Sequence, residues 1–279
     1  SSARRRMLQL VGAGSVLPVT TGSVTADNHV FGSGHLVLHH QLNGRDASGD
    51  VPDTSPWGSD AIGEFSTEDI TDTHTEFVDD PDRGVVLEFN GRGTDSHGGS
   101  YVIPHENLPP ADGQPFTWSM WVKPRINDQW LTFSSTSLGC AVSLRYGNIR
   151  LHDWHGSGYD FEVSLDADTY VPESEWTHIM AAVAPDEGDN GKVRLFINGE
   201  QKKEITGENA NIKGFQKKFG ENNGIGWLAA DSDGGYDARH SGWMDDLRLY
   251  VGVAAVEENA RSVYEETSSG GSDIGGDTP

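Results

Sequence analysis

The sequence predicts an all-β chain folded as a two-sheet antiparallel sandwich. The first observation behind this is a run of short apolar segments at regular spacing. Trp130-Leu-Thr-Phe-Ser, Ala141-Val-Ser-Leu-Arg-Tyr, Asn148-Ile-Arg-Leu-His and Tyr159-Asp-Phe-Glu-Val follow one another with polar turns between them. The second is the stretch from Glu175 to Gln201. Two apolar runs of strand length flank a cluster of Pro, Gly, Asp and Asn, which reads as a β-hairpin. Val193, Leu195 and Ile197 fall on one face, Lys192 and Arg194 on the other, and Phe196 breaks the polar face. Asn198-Gly199 then tolerates positive φ and turns the chain again.

The other elements follow in order. Leu36 to Leu42 reads as the first strand, and Asn43 to about Ala61 as a long Gly/Asp/Pro/Ser loop that carries Asp53-Thr54-Ser55-Pro56-Trp57. Residues 62–83 are acidic and weakly patterned, a loop excursion with room for one short strand. Val85 to Phe89 and Tyr101 to Ile103 read as strands joined by a Gly-rich turn. Phe116 to Val122 is the most apolar run, a strand buried on both faces. Gly224 to Ala230 is a further strand, Asp231 to Asp237 an acidic loop, and Gly242 to Tyr250 the closing strand. Val256 to Glu265 reads as the one helix. Val256, Ala260, Val263 and Tyr264 share a face, and Glu257 and Glu258 sit in the first turn.

Composition narrows the classes. The chain has 279 residues, which suits one large domain with a sizeable core. Its one cysteine, Cys140, rules out an intrachain disulfide and reads as a small core filler. The formal net charge is −23, and the 43 acidic residues are dispersed. Dispersed carboxylates whose repulsion needs screening point to a chain adapted to molar salt. They exclude duplex nucleic acid as a partner, because phosphate binding needs a basic face.

Residues 1–26 differ in kind. Arg4-Arg5-Arg6-Met7-Leu8 precedes an apolar, small-residue stretch ending in Val24-Thr25-Ala26, and no Asp or Glu occurs before Asp27. This pattern predicts a twin-arginine export signal and an extracellular or cell-surface destination. No later apolar run is long enough for a membrane span. The predicted organisation is therefore a signal segment (1–26), one domain (27–266) and a disordered Ser/Gly/Asp tail (267–279).

Four segments carry a resemblance. Trp176-Thr-His-Ile-Met-Ala-Ala-Val183, then Gly191-Lys-Val-Arg-Leu-Phe-Ile-Asn-Gly199, resembles the signature hairpin of laminin-G-like, concanavalin A-like jelly-roll domains. Gly84 to Gly91 with Tyr101 to Pro104, Phe116 to Pro124, and Trp243-Met-Asp-Asp-Leu-Arg-Leu-Tyr250 are similar to that family's early, central and closing strands. The resemblance spans about Leu36 to Glu266. With the export signal, the whole resembles secreted haloarchaeal proteins. It implies a jelly roll that acts as an exported binding or adhesion module, without catalysis, with glycan or a cell-surface polymer as ligand. It also implies a structural calcium held by Asp53 and by Asp245 or Asp246, with Asn90-Gly91 as a carbonyl source. Strand alternation lets one of Asp245 and Asp246 leave the core, and Asp245 is the expected one. The competing role for Asp53 is an Asx-turn cap.

Sugar sites combine an aromatic platform with planar polar groups. Trp118, Trp121 and Trp176 fall in strand patterns and read as core. Trp57, Trp154 and Tyr236 lie in Gly/Asp-rich loops and are the platform candidates, with Asp231 and Asp233 beside Tyr236. A subunit of a filament or surface layer, self-associating by strand exchange, is the alternative. A glycosidase would need paired carboxylates, and Glu187-Gly188-Asp189 in the hairpin turn lacks the third of the related enzymes' pattern. His152 and His155 read as a polar loop rather than a zinc site.

Overall fold

A computed structural model provides the structure. It describes residues 31, 35–47, 50–58, 75–90, 101–103, 114–126, 129–134, 140–154, 159–163, 169–185, 191–206, 223–225 and 241–268. In chain order the strands are β1 (Leu36–His40), β2 (Thr75–Asp80), β3 (Gly84–Asn90), β4 (Tyr101–Ile103), β5 (Phe116–Pro124), β6 (Gln129–Ser134) and β7 (Cys140–Arg145). They continue with β8 (Asn148–Trp154), β9 (Tyr159–Val163), β10 (Thr177–Ala184), β11 (Lys192–Ile197), β12 (Glu200–Thr206), β13 (Asn223–Ile225) and β14 (Ser241–Val251). One helix, α1 (Glu257–Ser268), follows.

Two antiparallel sheets result. The larger has eight strands in the order β12-β11-β10-β5-β14-β3-β2, with β1 also paired to β14. The smaller has six, in the order β4-β13-β6-β7-β8-β9. Leu131, Val142, Leu144, Ile149 and Leu151 of the smaller sheet join Leu87, Trp118, Met120, Ile179, Leu195 and Leu249 of the larger in one core. Area removed from water between the sheets is what holds them face to face.

The centre of the larger sheet is buried on both faces for two reasons. Along β5, Phe116, Trp118, Met120 and Val122 enter the inter-sheet core. The alternate residues Thr117, Ser119 and Trp121 are buried on the opposite face. That face is covered by α1. Ala260 and Val263 of the helix pack with Ala255, Met180, Ala182 and Phe196 in a second apolar cluster. Phe196, which breaks the polar face of its strand, is therefore the residue that receives the helix. Thr117 anchors the approach to it: its hydroxyl donates to the Val253 carbonyl at 3.1 Å and accepts from the Ala255 N–H at 2.9 Å.

Three local expectations are corrected. Val85–Phe89 and Tyr101–Ile103 are not a hairpin. β3 pairs with β2 and β14, and β4 pairs with β13 in the other sheet. The buried face of the helix is Ala260, Val263 and Thr267, whereas Val256 precedes the helix and is 45% exposed. Finally, β14 does not alternate throughout. Its pairing with β5 shifts between Asp245 and Arg248, and Asp246 has φ 48°. This β-bulge inserts one residue, so Met244 and Leu247 both enter the core and both Asp245 and Asp246 leave it. The signal segment, most of the tail, the Asp231–Asp237 loop and the Glu187–Asp189 turn lie outside the described residues. No helix among the described residues is long and apolar enough to cross a membrane.

Candidate functional site

The long loop after β1 is built on Asp53. Its Oδ1 accepts from the N–H groups of His39 and Ser55, both at 2.8 Å, and its Oδ2 accepts from the Ser55 hydroxyl at 2.7 Å. This is the Asx-turn role, with the turn also tied to β1. Thr54 adds a strand-like bond, its N–H donating to the His39 carbonyl at 2.9 Å. Two residues on, the Trp57 N–H donates to Ser55 Oγ at 3.2 Å, and the Trp57 residue is left 46% exposed. A large aromatic is thus held in solvent by a braced turn.

His39 links that loop to the bulge. Its Nε2 donates to Asp246 Oδ1 at 2.7 Å. The Thr54 hydroxyl donates to the His39 carbonyl at 3.1 Å and lies 2.9 Å from Nδ1. Asp246 Oδ1 also accepts from Arg248 Nε at 3.0 Å, and Arg248 reaches Glu266 of α1 at 2.8 Å. Burial opposes ionisation of Asp246, but Arg248 and His39 hold its carboxyl well below the usual range. Its Oδ2 is buried without a hydrogen-bond partner.

Asp245 has a different partner. Arg83 Nε donates to its Oδ2 at 2.6 Å, and the same guanidinium donates to the Thr267 carbonyl at the end of α1 at 3.2 Å. Burial pushes the Asp245 carboxyl up to about 6 against the pull of Arg83, with Asp246 adding to the rise. Arg83 lies 4.1 Å from the Trp121 ring centroid and 5.5 Å from that of Trp176. Lys123 continues the series at 5.7 Å from Trp176 and 5.2 Å from Trp243, and Arg125 ends it 4.0 Å from Trp243. Trp121 and Trp176 thus sit on the outer face of the larger sheet, in a ladder of rings and cations. Beside them His178, against Trp121 and Tyr264, is pushed down to about 3 by burial, with Arg248 and Arg83 adding.

The residues expected to hold calcium do not fit that ion in this arrangement. Arg83 occupies Asp245, Arg248 and His39 occupy Asp246, and Asp53 is spent on its own turn. Asn90 ends β3, opposite Ser241. A cation there would face two guanidinium groups, and calcium takes six to eight oxygens. Among the described residues no group of three or more His, Cys, Asp or Glu is placed to hold a metal. Of the platform candidates, Trp57 is exposed. Trp154 ends β8, with its backbone opposite Tyr159 of β9. Tyr236, Asp231 and Asp233 lie outside the described residues. The sequence reading missed His39, Arg83 and Arg248 as the partners of the acidic pair. Arg248 stands two residues after Asp246, and that spacing was the available signal.

The two-sheet jelly roll with a helix on its outer face defines the class. The chain matches the Laminin_G_3 model, described as the concanavalin A-like lectin/glucanases superfamily, over residues 95–258, and it belongs to that family. Among solved structures it is similar to the binding domain of Paraclostridial Mosquitocidal Protein 1, with a TM-score of 0.59 and 18% identity over 84% of this chain and 52% of that one. The receptor binding domain of the botulinum neurotoxin C/D mosaic serotype gives a TM-score of 0.55 at 17% identity, over 84% and 52%. The botulinum neurotoxin serotype D ligand binding domain, in complex with N-acetylneuraminic acid, gives 0.54 at 15%, over 84% and 51%. The chain spans about half the length of these domains, and at such identities the likeness is one of fold. Comparison with curated protein sequences gave no match.

Proposed function

We propose that this domain is an extracellular, non-catalytic binding module whose ligand is a glycan. The observation that carries the reading is Trp57, kept 46% exposed on a turn that Asp53 ties to β1. An exposed indole costs solvation and gains no packing, so its natural use is to stack on a ligand. The family includes lectins, and the similar solved structures are binding domains, one of them with N-acetylneuraminic acid. Both support the reading without naming this chain's ligand. Against a hydrolytic role, the buried pair Asp245–Asp246 is held by Arg83, Arg248 and His39, beneath the end of α1.

Assembly through sheet edges is less favoured. The outer strands of the larger sheet are Glu200–Thr206, with two Glu and two Lys, and Thr75–Asp80, with one Glu and two Asp. Charged edges resist pairing with another strand. The test is a glycan array in molar salt with the wild-type chain and with Trp57→Ala. Saturable binding by the wild type, weakened about tenfold or more by Trp57→Ala, is expected, since tenfold corresponds to about 1.4 kcal/mol. Release of new reducing ends from a bound glycan would replace the module with an enzyme.

A further inference from the structure

The turn between β7 and β8 is made of the wrong residue for its shape. Arg145 pairs with Asn148, leaving Tyr146 and Gly147 as a two-residue loop, with φ 51° and 77°. Positive φ at both central positions is the type I′ turn, which favours Asn-Gly, Asp-Gly or Gly-Gly. A tyrosine there adopts a conformation that bulky side chains rarely take. The other described non-glycine residues with positive φ each have a local return. Leu42 is buried in the core, Asn198 exchanges hydrogen bonds with His178, Asp246 is ion-paired, and the Ser174 N–H donates to the Pro124 carbonyl. Tyr146 is instead 68% exposed.

A second exposed tyrosine lies beside it. Tyr170, 47% exposed, is the antiparallel bridge partner of Asn148, and the Val171 N–H donates to the Gly147 carbonyl at 2.7 Å. Residues directly opposite in such a pair project to the same side. The turn itself is braced: Asn148 Nδ2 donates to the Tyr146 carbonyl at 3.3 Å, and the Arg145 guanidinium lies 5.4 Å from the Tyr146 ring centroid. Two exposed tyrosines are therefore set at the turn end of the β7–β8 hairpin. Trp57 belongs to a loop tied to the larger sheet.

We propose that Tyr146 and Tyr170 form a second sugar-stacking platform, for a neutral hexose unit of a polysaccharide. The proposal rests on the glycan reading above and adds a site and a ligand class to it. A flat phenol ring takes the C–H face of a pyranose, and its hydroxyl bonds to the sugar's own. The neutral class follows from charge: a chain of net charge −23 repels a polyanion wherever salt does not screen it, whereas a neutral polymer pays no such penalty at any ionic strength. Two platforms on different sheets suit a long polymer, because a second contact made by the same chain strengthens the first.

The test uses the full chain in molar salt, with cellohexaose, laminarihexaose and mannohexaose as neutral probes and oligogalacturonate as the acidic one. The key variant is Tyr146→Asn, which supplies the favoured turn pair. It is expected to raise the Tm while weakening binding of a neutral hexasaccharide about tenfold. Tyr170→Ala is expected to weaken the same binding. A purely structural tyrosine would give the opposite pairing, a lower Tm with unchanged affinity, and would overturn the platform. Undiminished binding in both variants would overturn the platform while leaving the glycan reading intact. Binding of the acidic probe alone would overturn the neutral class. Binding of no glycan by the wild type, on these probes and on the array, would overturn the glycan reading itself.

Discussion

Asp245 and Asp246 are neighbours in sequence with opposite electrostatic fates. Asp246 keeps its charge because Arg248 and His39 both reach one of its oxygens. Asp245 has Arg83 alone, under the end of α1, and its carboxyl is pushed up to about 6. The folded state then holds a proton on Asp245 more tightly than the unfolded state does. Stability from this group is full below about pH 3.8 and is lost as the pH rises through about 6. His178 works in the other direction. Its folded value is about 3 against 6.5 for the free side chain, so its contribution is lost as the pH falls from about 6.5 towards 3. Removing Arg83 isolates the first effect. Arg83→Met leaves a buried carboxylate unpaired at pH 8, and breaking a buried pair in this way costs about 3–5 kcal/mol. At pH 5 Asp245 takes a proton instead, so urea unfolding should show a clearly smaller loss. An equal loss at both pH values would mean that Arg83 acts through its stacking on Trp121 and not through Asp245.

At the scale of elements, α1 sits close against the turn joining β11 to β12. Gly199 has φ 78°, and a Cβ there would lie 2.9 Å from the Arg261 Cα and 3.1 Å from the Tyr264 Cβ. Gly199→Ala therefore strains the turn and pushes the helix off the sheet. It should lower the unfolding free energy by about 1–3 kcal/mol, the range for overpacking, read from urea or thermal melts. That turn was legible in the sequence, because Asn-Gly tolerates positive φ whatever surrounds it. The strands β5, β10 and β11 were legible too, since their apolar runs have strand length. The bulge in β14 was not. Met-Asp-Asp-Leu fits regular alternation as well as a two-residue excursion, and what selects the excursion is Arg83, 162 positions away. The candidate site divides in the same way. The turn at Asp53 and the exposed Trp57 follow from local Asp, Ser, Pro and Gly chemistry. The partners of Asp245 and Asp246 come from other elements, as does the bridge that sets Tyr170 beside Asn148, and only the fold brings them together.

Over the whole molecule the decisive quantity is the excess of 43 acidic over 20 basic residues. Burial does not relieve it among the described residues. Among them, buried Arg83, Arg194 and Arg248 are balanced by buried Asp80, Asp245 and Asp246. The excess therefore falls on the rest of the sequence, where like charges repel and favour expansion. Salt shortens the range of that repulsion from about 10 Å at 0.1 M to about 3 Å at 1 M. The Tm should accordingly rise as NaCl is raised from 0.1 to 2 M, by about 2–4 °C for each kcal/mol of repulsion removed. Salting-out of apolar surface would also raise it, and the two are separable. Screening depends on ionic strength and is nearly complete by about 1 M, so NaCl and Na2SO4 at equal ionic strength should coincide up to that point. Salting-out continues beyond it and is stronger for sulfate. A Tm that climbs steeply and identically in both salts below 1 M assigns the effect to the surface carboxylates. A gradual rise led by sulfate throughout would assign it to the apolar core, and the acidic surface would then need another explanation.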